Sequence, residues 1–418
     1  MLNRKTPPSL GELNDISFVT PEVIQCTPTL PLYWMKKVPN ATSRIDFYFD
    51  AGTTIGSNVI SAITSGLLFS GTKDKTSTQI HNELDSLGAY FDVGLGFETA
   101  IVTFYALNEQ LPEVVKLFVD MMENAIFPQN EVEELINDRK QKLQINLEKV
   151  SFLAQRKFQA LIFDGTNYNR TINLEDYNSV TREDLVSYFE NNYKKGLKKV
   201  FLVGDFKQEE VTNIVNSISS WGVERQEKST LNFQNKAETV HVEKTDAVQT
   251  AIRIGKILFN KTHPDYFGFM ILNTILGDFF GSRLMKNIRE DKGYTYGIGS
   301  YLSEMKDSGY FVIGTEVGKE VKDATLTEIQ KEIEKLQNEL VSEEELNLVR
   351  NYLLGQTLKS ADGPYALMEL FLSVENQNLD LDFFNDFIHK IKSIQAEELR
   401  DLARKYLDWN SFSIVSAG

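Results

Sequence analysis

Residues Ser282–Ser300 read Ser-Arg-Leu-Met-Lys-Asn-Ile-Arg-Glu-Asp-Lys-Gly-Tyr-Thr-Tyr-Gly-Ile-Gly-Ser. Leu284, Met285 and Ile288 fall on one face at helical spacing. Gly293 ends the helix, because glycine takes the left-handed conformation that a helix C-terminus uses. Tyr294-Thr295-Tyr296 then alternates as a strand. One glycine between helix and strand fixes how Arg289 and Tyr296 point relative to each other. A period of two puts Tyr294 on the same strand face as Tyr296.

Outward from this stretch, Pro264–Leu276 reads as an apolar helix with Phe267, Met270, Ile271 and Ile275 facing inward. Leu276-Gly277-Asp278-Phe279-Phe280-Gly281-Ser282 is the turn joining it to the next helix. Downstream come a strand at Gly309–Glu316, an amphipathic helix at Asp323–Leu340, a long helix at Ser342–Val374, a helix at Gln395–Leu407 and a strand at Ser411–Ser416. The N-terminal half has the same order. After a proline-rich extended lead-in (1–32) come strands at Tyr33–Lys37 and Arg44–Asp50. Helices follow at Asn58–Phe69 and, from an N-cap at Ser77, at Ser77–Leu87. Then come a strand pair over Tyr90–Leu107 and helices at Leu111–Ala125, Asn130–Phe163 and Thr181–Tyr193. The last of these carries a Thr181/Asp184 capping box. A strand at Lys199–Val203 and a helix at Gln208–Ser219 complete the half, and the strand pattern restarts over Val240–Gly255.

Landmarks in the two halves keep one register. Glu131 and Glu345, Ser179-Val180 and Ser393-Ile394, and Val203-Gly204 and Ala417-Gly418 are each separated by 214 residues (345−131). A constant offset through two helices and a strand identifies an internal repeat. The chain is therefore α+β, with two tandem homologous units, each a largely antiparallel sheet with helices packed on one side. The units are 1–224 and 239–418. The polar, aperiodic segment 225–238 links them, and each unit is large enough to bury its own core.

The chain has 418 residues, 42% hydrophobic and 25% charged, as in globular proteins. Its net charge of −15 argues against nucleic acid, whose phosphates call for a basic face. The single cysteine, Cys26, excludes an intrachain disulfide and a four-cysteine zinc site. No run approaches the ~18 apolar residues of a membrane span, and Met1–Leu10 does not read as a signal peptide. These features lead us to expect a cytoplasmic protein.

Leu67-Leu68-Phe69-Ser70-Gly71-Thr72 early in the first unit and Ile288-Arg289-Glu290-Asp291-Lys292-Gly293-Tyr294-Thr295-Tyr296 early in the second resemble the pitrilysin/insulinase family of zinc metallopeptidases, which includes the processing peptidases. The resemblance covers nearly the whole chain and implies two units arranged as a clamshell. In active members the first motif follows an inverted zinc signature, H-x-x-E-H. Here the resemblance places its two histidines at Ala62 and Gly66, its glutamate at Ser65 and the third ligand at Lys142. All four chemical positions are lost. The four histidines are His81, His241, His263 and His389, none of them N-terminal to residue 81. No metal and no cofactor is therefore expected on this chain.

The second motif is intact. The resemblance gives Arg289 and Tyr296 the role of catalytic groups that stabilise an oxyanion. It also makes Phe279, Phe280 and Tyr294 candidate substrate contacts. Some bacterial members of the family divide the labour between two chains. The pattern here implies the non-zinc subunit of a metalloendopeptidase heterodimer, with a peptide substrate and with zinc on a partner chain that carries the zinc signature. The alternatives are a non-catalytic assembly protein resembling the respiratory core proteins and a peptide-binding protein of the same fold. A homodimer would fit either of these.

Overall fold

The computed structural model describes residues 15–36, 41–222 and 233–418. The first sheet is built from β1 (Glu22–Thr27), β2 (Leu30–Met35), β3 (Thr42–Phe49), β4 (Tyr90–Leu95), β5 (Ala100–Leu107) and β6 (Leu197–Val203), in the order β1-β2-β6-β3-β5-β4. The second is built from β7 (Thr239–Val242), β8 (Gln249–Leu258), β9 (Thr295–Glu304), β10 (Gly309–Gly318) and β11 (Ser413–Ala417), in the order β7-β11-β8-β10-β9. With β1 set aside, the two orders are the same. Each sheet also has one parallel pair in the same place, β2 with β6 and β7 with β11, among otherwise antiparallel neighbours. The fold is the α+β duplication read from the sequence, with one added edge strand, β1, in the lead-in.

Alternation decides which face of each strand is covered. In β3, Ile45, Phe47 and Phe49 are fully buried in the first core. Helices Asn58–Gly66, Leu111–Asn124, Arg182–Asn192 and Gln208–Ile218 supply the rest of that core, including Ile63, Phe118, Leu185 and Ile214. In the second unit, Ile252, Ile254 and Ile313 pack under helices Tyr266–Leu276, Lys322–Asn338 and Ala396–Tyr406. The capping box at Thr181 is present: its side chain accepts from the Asp184 amide, and the Asp184 carboxylate accepts from the Thr181 amide. A cap of this kind is worth about 1 kcal/mol.

Several local readings are corrected. The cap of the second helix is Thr76, not Ser77, closed by Gln79. The strand pattern expected to restart over Val240–Gly255 is carried by two strands, β7 and β8. Phe267 and Met270 are half-buried, while Phe269, Ile271, Leu272, Ile275 and Leu276 are buried, so helix Tyr266–Leu276 has no dry side and wet side in the usual sense. A helix at Asp382–Ser393 packs Phe383 and Phe387 against Phe267. Of the expected linker, residues 233–238 are described, and Phe233 packs on Phe163 and Tyr168. The remainder lies outside the described residues.

The largest correction concerns the two long helices. Asn130–Phe163 is two helices, Gln129–Leu147 and Val150–Ile162, and Ser342–Val374 is likewise two, Glu343–Ser360 and Pro364–Glu375. The second break is set by Gly363, whose φ of +91 suits glycine, followed by Pro364 at the first helical turn. Beyond each break the chain crosses to the other unit. Ala154, Phe158 and Ile162 pack against Ala251, Ile257, Val415 and Ala417 of the second sheet. Met368 and Leu372 pack against Met35, Tyr48, Phe201 and Val203 of the first. Helices of the same unit thus cover one side of each sheet, as expected, and a helix lent by the other unit covers the opposite side. The lent helices begin at Val150 and Pro364, again 214 apart (364−150).

Candidate functional site

The Arg289 helix is anchored before it reaches the site. Leu284 and Ile288 are fully buried in the second core. Arg283 donates twice to Glu345, at 2.9 and 2.8 Å, and the Asn287 amide donates to Glu332 at 2.7 Å. From Met285 to Asp291 the helix widens to π geometry. Gly293 then takes φ +67, and the Tyr294 amide donates back to Ile288 O at 3.0 Å, which closes the helix end. β9 starts at Thr295, whose hydroxyl donates to Glu316 O at 2.7 Å and meets the Thr315 hydroxyl at 2.9 Å.

This geometry brings three of the expected residues together. The Arg289 guanidinium lies 4.7 Å from the Phe280 ring centre and 5.5 Å from that of Tyr296. Tyr296 is 92% exposed and Phe280 63% exposed. Among the described residues, neither the Arg289 guanidinium nor the Tyr296 hydroxyl has a hydrogen bond or an ion pair. The neighbouring carboxylates Glu290 and Asp291 therefore do not pair with the arginine, and stacking on two exposed rings, worth roughly 0.5–1 kcal/mol each, orients it.

The other two candidates do not join the cluster. Tyr294 precedes β9 and packs on the second core, so it does not share a face with Tyr296. Helical closure through Gly293, rather than strand alternation, sets its direction. Phe279 is half-buried against Tyr352, ring centres 4.9 Å apart. Next to it, burial pushes the Asp278 carboxyl up to about 6.

In the first unit, the positions that the resemblance assigns to zinc hold no ligand set. A Cβ at Gly66 would lie 2.8 Å from Leu135 Cδ2 and 3.6 Å from the Arg139 guanidinium. Ser65 Oγ is spent on Ser61 O at 2.8 Å and the Tyr193 hydroxyl at 2.6 Å, in a setting where burial pushes the tyrosine well above its usual range. Lys142 pairs with Asp138 at 2.7 Å. Ala62 is half-buried and offers no donor. Residues Ser65, Gly66, Phe69, His81, Phe91 and Asp138 help to line a cleft of about 420 Å³ here. His81 turns to Ser77 O at 2.8 Å, and Glu83 pairs with Lys75 at 2.7 Å. His263 stacks on Phe259 with ring centres 4.2 Å apart. Among the described residues no three histidine, cysteine or carboxylate groups are placed to hold a metal ion.

Tyr296 also borders a second cleft, of about 560 Å³, between the second sheet and helix Val150–Ile162. Gln155, Arg253, Tyr301, Val312 and Gly314 line it as well. The sequence alone does not single out Arg253 or Gln155. The repeat offset of 214 relates Gln155 to Glu369.

The chain is thus a duplicated α+β fold with an exposed arginine–tyrosine pair in its second half. The particular family follows from matches to known proteins. "Insulinase (Peptidase family M16)" matches residues 35–173 and "Peptidase M16 inactive domain" matches residues 179–353. The chain belongs to this family. A Rickettsia felis protein named "Uncharacterized zinc protease" is 24% identical over 309 residues, covering 72% of this chain and 74% of that protein. The human mitochondrial-processing peptidase subunit beta is 22% identical over 402 residues, covering 90% of this chain and 80% of that protein. The crystal structure of a peptidase M16 inactive domain from Pseudomonas fluorescens superposes with a TM-score of 0.85 at 22% identity, covering 96% of this chain and 98% of that one. No helix among the described residues is long and apolar enough to cross a membrane.

Proposed function

We propose that this chain is the zinc-free subunit of a two-chain zinc metallopeptidase acting on peptides. Arg289 and Tyr296 are its contribution to a site whose zinc is held by a partner of the same family. The observation that carries this reading is the pair's unengaged state: a guanidinium stacked on two exposed rings, next to a tyrosine hydroxyl with no partner among the described residues. As a peptide carbonyl is attacked, negative charge develops on its oxygen. Two donors held ready for that charge are typically worth a few kcal/mol each in a water-poor site. Relatives named as zinc proteases and as a peptidase subunit are compatible with this division of labour. Gly66, Ser65, Ala62 and Lys142 are why the metal is assigned to another chain. The cytoplasmic location expected from the sequence belongs to the same proposal.

The test is reconstitution. The purified chain is mixed with each zinc-signature protein of the same family from the same cell, and cleavage of a quenched fluorescent peptide is followed. Cleavage is expected only in the mixture. Arg289→Ala is expected to lower kcat by about 10²–10³-fold, and Tyr296→Phe by tenfold or more. A mixture that cleaves equally well with both variants makes the pair structural. A chain that binds no zinc-signature partner supports the assembly or peptide-binding alternative. Stoichiometric zinc on this chain alone would overturn the assignment of the metal.

A further inference from the structure

One irregularity in the second sheet sets the side on which Tyr296 emerges. Between β9 and β10, Thr295 lies opposite Val317 and Ile298 lies opposite Thr315. Glu316 alone separates the two partners on β10, whereas Tyr296 and Gly297 both separate them on β9. β9 therefore carries a bulge of one extra residue at Tyr296-Gly297. Its effect on direction follows from the period of two. Ile298 and Val317 are buried in the second core, and residues directly opposite share a face, so Thr295 faces that core as well. Tyr296, the next residue, faces the other way and is 92% exposed. Counted back from Ile298 along an unbroken strand, Tyr296 would fall on the core face. The bulge turns it out to where the Arg289 guanidinium stacks on its ring.

A bulge takes backbone groups out of the ladder, and those groups need other partners. Two threonine hydroxyls supply them. Thr295 Oγ1 accepts from the Gly297 amide at 3.1 Å and donates to Glu316 O at 2.7 Å. Thr315 Oγ1 donates to Gly297 O at 3.0 Å and lies 2.9 Å from Thr295 Oγ1. Thr315 is buried, so water does not replace its side of the network. Glycine's conformational freedom is not what makes the bulge. Gly297 does not take a positive φ, and a Cβ there would meet no atom within 4 Å. The two hydroxyls close the ladder around the extra residue.

We propose that Thr295 and Thr315 are positioning residues for Tyr296, holding the bulge that presents it beside Arg289. The inference rests on the reading of Tyr296 as an oxyanion donor and adds the two groups that fix its direction. On the other side of Gly293, the π geometry over Met285–Asp291 likewise adds one residue to a helical turn. Each member of the pair is thus presented by a one-residue irregularity. Valine in place of either threonine keeps the shape and removes the hydroxyl. Gly297 N–H, Gly297 O or Glu316 O then loses its partner. The bulge gives way to pairings in which Tyr296 no longer stacks under Arg289.

The chain alone is labelled with 3-fluorotyrosine, and the fluorine resonance of Tyr296 is assigned by its absence from Tyr296→Phe. Thr295→Val and Thr315→Val are each expected to shift or split this resonance, and Thr295→Ser and Thr315→Ser to leave it as in the parent. The Gly297 amide is expected to exchange about tenfold faster in Thr295→Val, the scale of one lost hydrogen bond. In the reconstituted mixture with the zinc-signature subunit and the quenched peptide, either valine variant is expected to lower kcat about tenfold with KM unchanged, and either serine variant to keep the parent rate. In a Tyr296→Phe background, Thr315→Val is expected to cause no further loss, because a positioning residue acts only through the group it positions. An unmoved resonance in both valine variants, an unchanged Gly297 exchange rate, a parental kcat without the hydroxyls, or a second loss of the same size in the Tyr296→Phe background would each overturn the proposal. A Tyr296→Phe mixture that cleaves as fast as the parent overturns the oxyanion reading instead. The fluorine and exchange measurements on the chain alone then still decide whether the hydroxyls hold the bulge.

Discussion

Phe158 is encoded in the first unit and buried in the second, so its removal tests how far the two units depend on each other. Its ring is fully buried against Ala251, Ile257, Val415 and Ala417. Directly beneath it is Gly255, where a Cβ would come within 3.0 Å of Phe158 Cζ and 2.0 Å of Phe311 O. Gly255 is held in the ladder on both sides, by Val312 of β10 and Ser413 of β11. The floor of the ring's pocket therefore cannot rise to fill the hole left by Phe158→Ala. Phenylalanine-to-alanine changes in cores cost about 3–5 kcal/mol, and sites that cannot collapse lie at the upper end. We expect about 4–5 kcal/mol here, a large share of the ~5–15 kcal/mol typical of folded proteins. Urea unfolding followed by tryptophan fluorescence and by far-ultraviolet circular dichroism measures it. Trp34 and Trp221 report on the first unit and Trp409 on the second. The two signals are expected to move together to a lower midpoint, because the lent helices join the units into one cooperative body. A loss below about 1 kcal/mol would refute the argument for a rigid floor. Signals that separate in the unsubstituted protein would refute the coupling.

Two further outcomes follow from backbone and charge. Gly293→Ala places a Cβ where no atom lies within 4 Å, so the cost is that of a φ of +67 alone, about 1–2 kcal/mol. Gly293→Asn is expected to cost less, and equal losses measured in urea would contradict this account. Asp278 has its carboxyl raised by burial from 3.8 to about 6, so between these values the folded chain holds more protons than the unfolded one. Stability contributed by the protonated form is present below pH 3.8 and lost as the pH rises through about 6. Asp278→Asn is therefore expected to be more stable than the parent at pH 7, by about 1–3 kcal/mol, and equal to it near pH 3.5. Melting curves at the two pH values that differ by the same amount would contradict this.

The duplication was legible because it is written in landmarks that hold register: Glu131 with Glu345, and Val203-Gly204 with Ala417-Gly418. The Thr181 cap and the Gly293 break were legible because each rests on local chemistry, a side chain three residues from its amide or a residue free to take positive φ. The crossing of the two helices was not legible. Gln129–Ile162 contains no glycine or proline, so periodicity runs through the break at Glu148 and Lys149, and the direction a chain takes after a break is a property of the surfaces it meets. Gly363-Pro364 did signal the second break. Tyr294 was misplaced because strand alternation was extended one residue into a helix cap. The stacking of Arg289 on Phe280 has no sequence signature, since the turn at Asp278–Gly281 brings the ring back over a helix that starts later. Arg253 carries no motif at all.

The lent helices also bear on how the chain is made. β6 completes the first sheet at Val203, yet Met368 and Leu372, which cover its Tyr48 and Phe201, come 165 (368−203) and 169 (372−203) residues later. At ~5–20 residues per second that interval is roughly ten to thirty seconds of translation. Through it the nascent chain presents an apolar sheet face with nothing to cover it. A ribosome-associated chaperone has a natural target there, and synonymous codons between the two segments set how long that face stays open.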